Sequence, residues 1–339
     1  MSLRFATLGF SAAFARLAFA QTGGAAGNMF DPVSTPAQSV MDLSVLVLAI
    51  CGVIFLIVAG LLTYVIIRFR RRDSKDDREP AQVYGSNQIE IAWTVIPLLI
   101  VVVLTMATAR VIAALQNRPE PADAVQVTVV GHQWWWEFRY PALGITTANE
   151  LHVPISTATE PKLTFMKLLS ADVAHSFWIP KLAGKTDVIP GRTNTMWIEP
   201  KQTGTYLGNC AEYCGTQHAN MLIRVTVHSQ EDFNRWAAQQ KAEAAADPQV
   251  QAGREVFLSL SCVNCHAISG TSSKGTFGPD LSHLMSRDTL GSGMIPNGIP
   301  NLRNWIRDPQ AIKPGNLMPN MQLNDKELDQ VVNYLASLK

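Results

Sequence analysis

Two long uncharged apolar runs constrain the fold of this chain more than any other feature of it. Leu43 to Ile67 is 25 residues without a charged side chain, and Ile91 to Ala109 is another 19. A helix of either length crosses about 30 Å of hydrocarbon. Buried helices of a soluble protein are the competing reading, and uncharged runs this long count against it. Pro97 lies inside the second run, where a membrane helix tolerates it if neighbouring groups satisfy the freed carbonyl. The sequence predicts a transmembrane helical hairpin over 38–116, with helices at about 43–67 and 91–114.

The connection between the runs sets the orientation. RFRRRDSKDDREP carries Arg68, Arg70, Arg71, Arg72, Lys75 and Arg78, a basic cluster of the kind that stays cytoplasmic. Everything after Arg110 is then expected outside, in the periplasm or its equivalent, where disulfides and covalent haem attachment are permitted. Ahead of the hairpin, Arg4, an apolar run and Ala18-Phe19-Ala20 predict a signal peptide over 1–20. Arg16 interrupts that run, and a short retained anchor is the alternative.

A chain of 339 residues has room for two or three folded units. A net charge of +1, with no long run of like charge, gives no support for nucleic-acid binding. From Val125 the pattern turns β-like. VQVTVVGHQWWWEF alternates as a strand that would carry Trp134, Trp135 and Trp136 on alternating faces, and LHVPI, MWIEP and MLIRVTV follow. A β-sandwich is predicted over 122–236, with a helix-prone, Ala-rich stretch from 229 running into a linker at 237–249. In the last ninety residues, QVQAGREVFLSLS reads as a short helix. Asn324 and Glu327 then cap a stripe of Leu328, Val331, Val332, Leu335 and Leu338. Two terminal helices around a Gly/Pro-rich middle fit a small all-α domain over 250–339 that a large apolar cofactor would help to stabilise.

Chemistry concentrates in two cysteine pairs. Cys262-Val263-Asn264-Cys265-His266 is the c-type haem attachment pattern, two thiols for the haem vinyl groups and a histidine for the iron. A methionine as the other axial ligand would raise the potential. Met318, in the constrained turn KPGNLMPNM, is preferred, Met321 competes, and Met285 and Met294 read as packing or loop residues. The other pair sits in CAEYCGTQHANM, residues 210–221. Zinc has little use for Met221, and a disulfide leaves His218 and Met221 unexplained. Copper suits thiolate, imidazole and thioether together, and the second cysteine is a surplus thiolate able to bridge a second copper. Such a centre needs another histidine, and spacing does not select His175 over His132 or His152. Cys51, within the first apolar run, reads as a small apolar residue.

HSFWIPKLAGKTDVIPGR followed by CAEYCGTQHANM resembles subunit II of haem–copper cytochrome c oxidase, a likeness that covers about residues 38 to 236. The remainder resembles a fused class I cytochrome c, as in caa-type oxidases. The resemblance implies a multi-domain membrane protein: a two-helix hairpin, an all-β cupredoxin-like Greek-key sandwich and an all-α cytochrome c domain. It implies a binuclear CuA centre in which Cys210 and Cys214 bridge, His175 and His218 each bind one copper, and Met221 is a weak axial ligand. Glu212 would bind through its backbone carbonyl and reach, through its carboxylate, a magnesium site shared with subunit I. Trp134 takes the position of the family's electron-input surface, and Glu90, in NQIEIAWTVIP, that of the mouth of a proton pathway. Packing and an interfacial location are the plain readings of those two. Pro279 in GPDL resembles the proline whose carbonyl orients the haem histidine. Asp172 and Asp187 are turn residues or docking charges.

The function implied is the electron-accepting subunit of a terminal oxidase in the bacterial inner membrane, with the copper and haem domains on the periplasmic side. Subunit I and subunit III are its expected partners, and a cytochrome c or other periplasmic carrier its donor. A stand-alone membrane-anchored haem c/CuA carrier is the alternative. A nitrous-oxide-reducing enzyme would need a further catalytic domain, and a quinol-oxidase subunit would lack the copper ligands.

Overall fold

The computed structural model describes residues 27–70, 82, 84–244 and 247–339. The leader expected over 1–20 and Arg71, Arg72, Lys75 and Arg78 of the basic connection lie outside the described residues.

Helices α1 (Thr35–Arg68) and α2 (Asn87–Gln116) pack against each other. Their most apolar stretches have mean hydropathies of 3.2 and 2.5, and none of either stretch is buried within the chain. Helices apolar on every face and uncovered by protein suit a lipid or partner-helix environment. Both run past the spans expected from hydropathy, because their outer ends are seated on the sandwich. At the start of α1, Thr35 Oγ1 donates to Glu199 Oε2 at 2.5 Å, and Ser34 and Ala37 are buried. At the end of α2, Trp197 Nε1 donates to the Leu115 carbonyl at 2.8 Å, and Arg118 lies over the Trp197 ring. The sandwich therefore caps one end of the hairpin, and the Arg68 end of α1 and the Asn87 end of α2 lie at the other.

Ten strands form that sandwich: β1 (Val125–His132), β2 (Trp135–Tyr140), β3 (Ile145–Ala148), β4 (Glu150–Pro154), β5 (Thr164–Ser170), β6 (His175–Trp178), β7 (Thr186–Val188), β8 (Asn194–Ile198), β9 (Gly204–Cys210) and β10 (Leu222–His228). One sheet is ordered β3-β2-β1-β5-β8 and the other β4-β10-β9-β6-β7. Trp136, Phe138, Leu151, Leu168 and Phe177 are fully buried between them. Residues ahead of the hairpin also join this unit: Val33 N–H donates to the Lys181 carbonyl, and Lys201 N–H to that of Val33.

VQVTVVGHQWWWEF is a hairpin rather than a single strand. β1 turns at Gln133-Trp134 and returns as β2, closed by the His132↔Trp135 pair. The turn holds none of the Gly, Asn, Asp or Pro residues that usually mark one, so alternation alone reads straight through it. Trp134 thus sits in the turn, between the strands.

Helix α3 (Gln230–Lys241) follows, its first turn capped by the Ser229 side chain and its apolar face formed by Phe233, Trp236 and Ala237. The C-terminal unit comprises α4 (Gln251–Ser259), α5 (Cys262–Cys265), β11 (Thr289–Leu290), β12 (Ile295–Pro296), α6 (Ile299–Arg307), α7 (Pro309–Ile312) and α8 (Asp325–Ala336). Its terminal helices α4 and α8 cross at Gly253, where a Cβ would lie 2.0 Å from the Gln330 carbonyl oxygen. Asn324 and Glu327 form a reciprocal capping box at the start of α8, a device worth about 1 kcal/mol. The middle expected to be loop contains α6, with Leu302 and Ile306 buried. Pro300 beside Gly298 disguises this helix in the sequence, although proline is well tolerated in a first turn.

Candidate functional site

The ends of β6 and β9 and the loop into β10 bring one donor set together. Cys210 closes β9, His175 opens β6, and residues 211–221 fold over them through a short 3-10 turn, His218–Asn220. The Cys210 and Cys214 sulfurs stand 3.8 Å apart and unbridged. Cys210 Sγ lies 3.9 Å from His175 Nδ1 and 3.2 Å from the Glu212 carbonyl oxygen. Cys214 Sγ lies 3.7 Å from His218 Nδ1 and 3.9 Å from Met221 Sδ. The ligand atoms of His175, Cys210 and Cys214 are all within 4.8 Å of one another. His175, Cys210, Cys214 and Met221 are buried, whereas the Glu212 side chain is exposed.

Of the three histidines that spacing left open, His175 alone joins this set. His132 stacks on Trp135 and faces Glu137 at 3.0 Å, and His152 pairs with His228 at 2.8 Å and stacks on Trp236. Asp172 then fixes the ring. His175 Nε2 is 2.8 Å from Asp172 Oδ1, an acceptor, so the proton belongs on Nε2 and the Nδ1 lone pair faces the sulfurs. Burial opposes charge on His175, but Asp172 and Cys210 outweigh it and hold the ring above its ordinary pKa. Hydrogen bonding from Cys214, ahead of the opposing burial, holds Cys210 well below the usual thiol range. The pair thus readily supplies a first thiolate, and the donor chemistry is that of a copper site.

A second site lies in the C-terminal unit. Cys262, Cys265 and His266 line an apolar cleft together with Leu281, Leu302 and Trp305. His266 Nδ1 donates to the Pro279 carbonyl at 2.7 Å, which leaves Nε2 as the free ring nitrogen. Burial keeps this imidazole below its ordinary pKa, in the neutral form a metal needs. Gly278 is required here: a Cβ would come within 2.7 Å of the His266 ring. Met318 and Met321 both line the cleft, and Met285 and Met294 do not. The Met318 backbone is tied down at both ends, its N–H to Asn316 Oδ1 and its carbonyl to Gln310 Nε2. Arg287, buried on the same cleft, was not singled out by the sequence; its guanidinium suits an anionic edge of a bound group.

The two sites share a wall. Gln133, Trp134 and Trp135 of the sandwich line the cleft of the C-terminal unit. Trp134 Nε1 donates to the Cys214 carbonyl at 3.0 Å, joined there by Gln133 Nε2 at 2.8 Å. Trp134 is only 9% exposed. Glu90 stands apart, exposed in the first turn of α2, far along the chain from either site.

Three family descriptions match the chain in succession: "Cytochrome C oxidase subunit II, transmembrane domain" over 24–111, "Cytochrome C oxidase subunit II, periplasmic domain" over 145–228, and "Cytochrome c" over 250–339. Cytochrome c oxidase subunit 2 of Alkalihalophilus pseudofirmus is 35% identical over 316 residues, which span 91% of this chain and 90% of that protein. The chain belongs to the cytochrome c oxidase subunit II family. Cytochrome c oxidase subunit 2 of Bacillus subtilis is similar at 33% identity, over 91% of this chain and 90% of its own length. The solved periplasmic domain of subunit II from Bradyrhizobium japonicum is 29% identical with a TM-score of 0.33, over 36% of this chain and 96% of that one. The chain is thus a membrane-anchored oxidase subunit with a periplasmic cupredoxin-like domain and a cytochrome c domain, and it associates with subunit I. Copper and haem c are the cofactors these domains imply.

Proposed function

We propose that this subunit takes electrons from a periplasmic carrier through haem c, passes them to a binuclear CuA centre and delivers them to subunit I, where oxygen is reduced to water with proton translocation. The observation that carries this reading is Trp134, which lines the haem cleft and donates to the carbonyl of Cys214. The chain's units are then a signal peptide at 1–20, a two-span inner-membrane hairpin at 38–116, a CuA domain at 122–236, a linker at 237–249 and a cytochrome domain at 250–339. Subunit III completes the assembly.

Cys210, Cys214, His175, His218, Met221 and the Glu212 carbonyl would hold the copper pair, with the two cysteines as its shared thiolates. The exposed Glu212 carboxylate is free to reach a magnesium ion at the subunit I face. Cys262 and Cys265 would hold the haem covalently, and His266 and Met318 would supply the ligands to its iron. When bound, the two groups supply reversible one-electron chemistry. The protein's part is to hold the donors rigid and dry: buried sulfurs, a histidine fixed by Asp172, and a crevice closed by Trp134 and Trp135. Glu90, on the side of the membrane away from the sandwich, is the mouth of a proton path.

Metal analysis tests this reading. The loaded full chain is expected to hold about two coppers and one covalent haem, with a mixed-valence copper EPR signal, and to copurify with a large haem–copper subunit. One zinc per chain, or isolation without that subunit, would overturn it. Met318→Ala should keep the haem attached and remove the methionine-ligated spectrum. If Met321→Ala does so instead, the axial assignment moves to Met321.

A further inference from the structure

The cytochrome domain is held on the sandwich by two buried ionisable side chains, one acidic and one basic, each satisfied mainly by peptide groups. Glu150, on the edge strand β4, accepts from the N–H groups of Asp288 and Thr289, both at 2.9 Å, and from Thr289 Oγ1 at 2.7 Å. Lys313 reaches the other way. Its Nζ donates to the carbonyls of Trp134 at 2.8 Å, Asn220 at 2.9 Å and Gly291 at 3.0 Å, and the residue is 3% exposed.

An ammonium has three donors, and all three are used on backbone carbonyls. The carbonyls come from three separate segments: the β1–β2 turn that carries Trp134, the copper loop next to Met221, and the turn between β11 and β12. A compact cation can converge on three such oxygens where a planar guanidinium cannot. An apolar side chain of similar size would fill the space but leave these three carbonyls without this donor, so the three segments are held together here through one amine. What the amine adds is a discrete register. Contacts around it keep that register: Gln217 Nε2 donates to the Pro314 carbonyl at 2.5 Å, and Leu222 and Ser292 exchange two hydrogen bonds at 3.2 Å.

We propose that Lys313 is a positioning residue that locks the Met318 loop of the cytochrome domain onto Trp134 and the copper loop, fixing the separation that electrons must cross. The proposal rests on the reading that electrons pass from the haem cleft to the copper site. Lys313 belongs to the cytochrome domain yet two of its three acceptors belong to the sandwich. A small relative movement of the domains would break both of those bonds together, leaving only the one to Gly291.

The test uses the full chain, loaded and assembled in its oxidase. In Lys313→Met, copper reduction after photoinjection of an electron at the haem should slow severalfold, since electron transfer falls off exponentially with the separation between the two centres. The optical and EPR spectra and both midpoint potentials should match those of the unaltered protein, which separates lost positioning from lost structure. An unchanged transfer rate overturns the proposal. Amine acetylation of the unaltered chain decides independently of any variant. Lys313 should stay unmodified while the exposed Lys274 and Lys326 react, and equal reactivity at Lys313 would show that the clamp does not form. Absence of haem-to-copper transfer in the unaltered chain would instead sink the function proposed above, whatever the protection of Lys313.

Discussion

Cys214→Ser in the full chain is expected to leave the haem attached and to abolish the binuclear copper centre. Cys214 Sγ lies within 4 Å of Cys210 Sγ, His218 Nδ1 and Met221 Sδ, so three of the proposed donors meet at this one atom. A serine hydroxyl is a hard, protonated donor at neutral pH and does not bridge two soft metals. Cys210 and His175 remain, enough to retain about one copper in a mononuclear site. Copper content should fall from about two to about one or less, and the mixed-valence signal should vanish. The fold should survive, because serine is nearly isosteric and the loop's main-chain contacts to Gln133 and Trp134 involve the residue-214 carbonyl rather than its side chain. Burying the hydroxyl where Cys214 is 3% exposed should lower sandwich stability by about 1–3 kcal/mol, measurable by thermal unfolding. Retention of two coppers with an unchanged EPR signal would sink the bridging role.

The features legible in the sequence were those whose chemistry is local. Two uncharged runs announced the hairpin, CVNCH the haem attachment, and CAEYCGTQHANM a soft-metal loop, each within a single stretch of chain. What stayed hidden depends on contacts between distant segments. His175 could be separated from His132 and His152 only by resemblance, because its Nδ1 meets Cys210 across a sheet pairing, β6 with β9, that spacing does not encode. Asp172 read as a turn residue or docking charge, and its bond to the His175 ring appears only once β6 is placed. Lys313 and Glu150 are single charges that pattern reading assigns to solvent, and both are buried because a second domain covers them. The Gln133-Trp134 turn carries no mark in the sequence because its residues are those of a strand.

That turn leads to the other large expected effect. Trp134→Phe should preserve both cofactors and slow haem-to-copper electron transfer severalfold or more. Three contacts converge on this residue: its ring lines the haem cleft, its Nε1 donates to the Cys214 carbonyl, and its own carbonyl accepts from Lys313. Phenylalanine keeps the main-chain bond to Lys313 and most of the apolar contact, so docking of the cytochrome domain should persist. The Cys214 carbonyl keeps Gln133 Nε2 as a donor at 2.8 Å, so no buried acceptor is orphaned and the copper loop should hold its shape. What is lost is the indole N–H that joins the cleft to the copper loop through one side chain. Burial adds a second consequence. With the cytochrome domain in place Trp134 is 9% exposed, so a protein-sized donor cannot reach it directly and raising donor concentration should not rescue the variant. Stopped-flow reduction by a small carrier protein, followed at the haem and copper bands separately, reads both effects. Haem reduction should proceed at the ordinary rate and copper reduction should lag. Equal rates at both bands in the variant would remove Trp134 from the route and return it to packing.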